Sequence, residues 1–131
     1  MSHVPAWEEY NAEAKARGAL AHELYMVLST PQAEPARIKE MLPEHLAYQA
    51  AQEAAGNLVL AGPVSDETGT QMQAMGLIIY RAPSLEAARA LAESDPMHSS
   101  GARSFVLRRW LINEGSITVN VGLSAQTITL G

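Results

Sequence analysis

A chain of 131 residues with 47% hydrophobic and 18% charged residues can bury one real core around one site, and is short for two domains. Its formal net charge of −5 offers no broad basic face to a phosphate backbone, so no nucleic-acid partner is expected. The sequence holds no cysteine, hence no disulfide, thiolate nucleophile or Cys-based zinc site, which suits a reducing cytoplasm. Its first residues are too charged for a signal peptide, and no run of about 18 apolar residues occurs, so no membrane partner is expected either.

Pro5 and Gly18 bracket a first helix on which Trp7, Tyr10 and Ala14 share a narrow stripe that needs a partner surface. Glu23 to Thr30 alternates Leu24, Met26 and Leu28 against Tyr25, Val27 and Ser29, the pattern of a strand with one face on a core. After Pro31, a short helical turn is expected over Ala36 to Met41. Pro43 then opens a helix that runs to Gly56, a favourable C′ residue. On its wheel Leu42, Leu46, Ala50 and Ala54 form the core stripe, with His45, Tyr48, Gln49 and Gln52 beside it.

Leu58 to Ala61 and Met75 to Tyr80 read as two strands of a long-looped hairpin. Ser84 caps a helix carrying Leu85, Ala88, Leu91 and Ala92 on one side, and Asp95-Pro96 ends it because a residue before proline avoids the helical region. Arg103 to Ile112 is a strand, on which Arg108 and Trp110 share a face; after the turn Asn113-Glu114-Gly115, the Val-, Ile- and Thr-rich end suggests one further hairpin.

Without the two ends the order is strand, helix, strand, strand, helix, strand, the split βαβ arrangement of a ferredoxin-like α+β domain. We expect a single domain with its core at about 23–112, an N-terminal helical extension over 1–20 and a C-terminal β extension over 113–131. In this topology the start of the first core helix meets the end of the second. His45 and Asp95, far apart in sequence, therefore become neighbours. Ser29-Thr30, Gly62-Pro63 and the segment Asp95 to Gly101 come to the same end, where a small polar pocket can form.

Histidine suits general acid/base work because its unperturbed pKa is about 6.5, and a carboxylate on one ring nitrogen orients the ring and stabilises its charged form. By itself His45 reads first as a helix N-terminal histidine satisfied by a hydrogen bond, while Asp95 reads equally as an Asx turn before proline. Tyr48 can stack on a ring substrate or cover the helix–sheet seam, Gly62 and Pro63 can line a ligand or mark a strand end, and His98 is expected among the substrate-binding residues. The trio His45, Asp95 and His98 has no recognised metal spacing, and no phosphate-loop or dinucleotide motif occurs. Neither metal nor cofactor is expected.

The words PEHLAY at 43–48, GNLVLAGPV at 56–64, SLEAARALAESDP at 84–96 and RRW at 108–110 resemble the YciI-like, or YCII-related, family. The likeness runs from Leu24 to Trp110. It implies ferredoxin-like chains paired into a dimeric α+β barrel, with a His-Asp dyad that maps onto His45 and Asp95. It also implies proton-transfer chemistry on a small organic molecule, since a dehydrochlorinase of a chlorinated hydroxyhydroquinone is similar and muconolactone isomerase shares the barrel. The expected protein is thus a homodimeric, cofactor-independent lyase or isomerase, with higher assembly through the added ends as a further option. The alternative is a non-catalytic module of the same fold that binds a small molecule or a protein. Where the family carries an aromatic residue and then Ala-Gly after Asp-Pro, this chain has Met97, His98, Ser99, Ser100 and Gly101, which points to a different pocket floor.

Overall fold

The computed structural model describes residues 3–131, so Met1 and Ser2 of the expected N-terminal extension lie outside the described residues. Ten elements follow in chain order: α1 (Trp7–Ala16), β1 (His22–Pro31), α2 (Pro35–Ala54), β2 (Leu58–Ser65), β3 (Met72–Tyr80), α3 (Leu85–Ser94), α4 (Pro96–Ser99), β4 (Arg103–Ile112), β5 (Val119–Gly122) and β6 (Thr127–Leu130). They fall into two compact units. One is Glu23–Trp110; the other joins the segment up to His22 with Leu111–Gly131.

In the larger unit a four-stranded antiparallel sheet has the order β2-β3-β1-β4, the ferredoxin-like arrangement. Register sets its two faces: Tyr25 opposes Tyr80, Val27 opposes Ile78 and Ser29 opposes Gly76, so these side chains share one surface. That surface is the core, where Tyr25, Val27, Ile78 and Tyr80 meet Ala88 and Ala92 of α3. Two alanines let the helix approach the bulky aromatics, and the Ser84 hydroxyl caps it by accepting from the Ala87 amide at 3.1 Å. The opposite face remains apolar and open, with Leu60 60% and Trp110 41% exposed among its residues.

The region around Pro43 departs from expectation. A single 20-residue helix runs from Pro35 through Pro43 to Ala54, where a separate turn and a later helix were expected. Proline removes one internal hydrogen bond, yet Ile38 and Met41, just before it, pack against Met97 and Ala102 and hold that end in place. Tertiary burial outweighs the local penalty. The expected stripe is also displaced: Leu42 and Leu46 are 42% and 53% exposed, whereas His45, Tyr48, Gln49 and Gln52 are partly buried. Gly56, at φ 84°, closes α2 in the left-handed conformation that glycine adopts without strain.

In the smaller unit Trp7, Tyr10 and Ala14 find their partner surface in Ala19, Ala21 and Leu111. Strands β5 and β6 form an antiparallel pair from Val119 opposite Leu130 to Gly122 opposite Thr127.

Candidate active site

Asp95 sits between two helices, ending α3 and capping α4 by accepting the Met97 amide at 2.9 Å. Its carboxylate is 0% exposed. Both oxygens lie 2.8 Å from Nδ1 of His45, which reaches down from the middle of α2 with 16% of its side chain exposed. A carboxylate accepts, so Nδ1 carries the hydrogen and Nε2 presents its lone pair in the neutral ring. Among the described residues Nε2 has no partner, and His45 lines an open cavity of about 830 Å³.

That cavity lies between α2 and one end of the sheet. Leu42 and Leu46, the exposed leucines of α2, form part of its wall, and Gly62, Pro63, Met72 and Met75 form another part. Tyr48 and His98 are not wall residues. The Tyr48 hydroxyl donates to the Leu91 carbonyl at 2.6 Å, which ties α2 to α3, and burial with the nearby Asp95 carboxylate pushes this phenol up. His98 faces inward to a second polar cluster.

There His98 Nδ1 donates to the Ala92 carbonyl at 2.7 Å, which leaves Nε2 to accept from the Ser29 hydroxyl at 2.8 Å. Ser29 Oγ in turn accepts from Arg103 Nε at 2.8 Å. The guanidinium also donates through Nη2 to the Ser29 carbonyl at 2.7 Å and to the Ala74 carbonyl. Ala74 adopts φ 63°, a left-handed conformation unusual for a residue with a side chain. Burial pushes His98 below the usual imidazole range, opposed by the Ala92 hydrogen bond and Asp95. The Phe105 ring packs beside it, with centroids 4.8 Å apart.

Both Ser29 and Arg103 line the cavity, and sequence reasoning gave Arg103 no role. The available signal was weak: a basic residue on the inward side of a strand, in step with Phe105 and Leu107, which pack on the core. Among the described residues no group of three or more His, Cys, Asp or Glu side chains is arranged to hold a metal.

A four-stranded antiparallel sheet with helices packed against it defines a ferredoxin-like α+β domain. The chain belongs to the YCII-related domain family, whose model matches residues 24–111. Among solved structures it is similar to 5-chloro-2-hydroxyhydroquinone dehydrochlorinase from Burkholderia phenoliruptrix, in complex with 2,5-dihydroxybenzoquinone. That similarity has a TM-score of 0.51 at 22% identity and covers 66% of this chain and 92% of the dehydrochlorinase, a likeness of fold. Comparison with curated proteins finds no match. No helix among the described residues is long and apolar enough to cross a membrane.

Proposed function

We propose that this protein is an enzyme in which His45 moves a proton on a small organic substrate while Asp95 orients the ring and stabilises its charge. The observation that carries the reading is the pairing of His45 Nδ1 with both oxygens of a fully buried carboxylate, with Nε2 unpartnered among the described residues and His45 lining an open cavity. A base within reach of a bound molecule, in the correct tautomer and fixed from behind, is what general acid/base catalysis requires.

Elimination or isomerisation suits the pair. In elimination Nε2 takes a proton from a hydroxyl, or from a carbon next to a carbonyl; the electron pair forms a double bond and a halide leaves. In isomerisation the same nitrogen returns the proton to a different carbon. The largely apolar wall supports an aromatic or lactone substrate. The Burkholderia neighbour, by its name a dehydrochlorinase, agrees with that choice.

We further propose a homodimer joined through the open sheet face, because Leu60, Val64, Val106 and Trp110 form an exposed apolar surface of the kind that seldom faces water. A cytoplasmic setting completes the reading, in keeping with the cysteine-free sequence.

The test compares wild type with His45→Asn on a panel of halogenated hydroquinones and enol-lactones. The Asn amide can still donate to Asp95 but carries no basic nitrogen, so turnover should fall about 100- to 10,000-fold. Equal turnover removes His45 from the mechanism, and no turnover by wild type on any member favours a binding module. Light scattering checks assembly, with a mass of twice the chain expected.

A further inference from the structure

The net charge of −5 is distributed unevenly. The titratable side chains lining the cavity are Lys39, His45 and Arg103, and no aspartate or glutamate stands among them. Arg103 forms no ion pair with a carboxylate among the described residues. Its Nε and Nη2 donate to neutral oxygens of Ser29 and Ala74, and its Nη1 hydrogens have no acceptor among the described residues. A guanidinium partly withdrawn from water, locked at one edge and open to the cavity at the other, favours an anion on the free side.

We infer that Arg103 binds a carboxylate of the substrate, so that the cavity takes a small organic acid and presents its apolar body to His45. The inference rests on the reading of this cavity as the place where His45 works. Leu42, Leu46, Met72, Met75 and Ile78 supply an apolar wall, which fits an organic body with a single anionic group better than it fits an inorganic anion. The locking of Arg103 runs back through the fold: Ala92 fixes the His98 tautomer, His98 accepts from Ser29, and Ser29 accepts from Arg103. His98 is therefore a positioning residue.

The experiment titrates full-length protein calorimetrically with gentisate and with methyl gentisate, which share a dihydroxybenzoyl body and differ in charge. Wild type should prefer the carboxylate by about tenfold or more, the effect of one charge-assisted hydrogen bond, and the preference should shrink as salt rises. Arg103→Gln should bring the two affinities together, mainly by weakening gentisate. Should that variant fail to fold, Arg103→Lys retains the charge without the fork and should show a reduced preference. Equal affinity of wild type for both compounds, binding of neither, or an undiminished preference in a folded Arg103→Gln or Arg103→Lys protein overturns the inference. Turnover plays no part in this readout. An Arg103-dependent preference alongside His45-independent turnover would therefore sink only the catalytic reading, and the converse only the carboxylate.

Discussion

Two histidines lie within electrostatic reach of one buried aspartate, and their ring nitrogens are used differently. His45 gives one nitrogen to Asp95 and leaves the other bare at the cavity. His98 engages both, one on the Ala92 carbonyl and one on the Ser29 hydroxyl. A nitrogen with no protein partner can exchange a proton with a bound molecule, while a ring held at both ends chiefly transmits orientation. On the proposed reading, the difference separates a chemical role from a positioning role in residues of the same type.

Asp95 provides the strongest way to break this comparison, since it serves His45 directly. Asp95→Asn can keep the Met97 cap and a hydrogen bond to His45, but it removes the charge that steadies a protonated ring. Activity on any substrate found should fall about 100- to 10,000-fold with a much smaller change in stability. Asp95→Ala should in addition lose about 3 kcal/mol, from the helix cap and from a charged hydrogen bond, as read by urea unfolding. A fall in activity that merely tracks lost stability in both variants would reduce Asp95 to a structural cap.

The topology of the larger unit was legible because Tyr25, Val27 and Ser29 alternate plainly and Ser84 and Asp95-Pro96 mark both ends of α3. Contact between His45 and Asp95 follows from that topology, even though α2 begins a full two turns earlier than expected. Pro43 hid the earlier start, since its local signal is to begin or break a helix and only packing by Ile38, Met41, Met97 and Ala102 overrules it. The inward face of α2 was hidden for a related reason. Leucines normally mark the core side of a helix, but here Leu42 and Leu46 line a cavity. Arg103 was not legible, because its hydrogen-bonding partners come from β1 and β3, which no local pattern joins to the start of β4.

His98 sharpens the comparison through pH. Burial leads the lowering of its pKa, with charge from His45 and Arg103 adding to it, and the Ala92 hydrogen bond and Asp95 oppose it. The unfolded ring titrates near about 6.5 and therefore binds more protons than the folded ring just below that pH. Its contribution to stability is complete above about pH 6.5 and is lost as pH falls through the lowered folded value. His98→Gln can still accept from Ser29 but does not titrate. Thermal unfolding of that variant between about pH 5 and 8 should show a shallower acid limb than wild type. Parallel limbs would mean that His98 is charged alike in both states.

The smallest effect concerns two tyrosines that differ in the same way as the histidines. Tyr48 donates to the Leu91 carbonyl, whereas the Tyr80 hydroxyl is buried with no hydrogen-bond partner among the described residues. Burial, with Tyr48 and Asp95 nearby, pushes the Tyr80 phenol up, so it stays neutral. Removing a satisfied hydroxyl loses a hydrogen bond, while removing an unsatisfied one relieves desolvation and leaves the ring packed in the core. Tyr48→Phe should therefore destabilise by about 1 kcal/mol and Tyr80→Phe should stabilise by a similar amount, opposite shifts in one urea titration. Destabilisation by both substitutions would show that the Tyr80 hydroxyl is satisfied in solution.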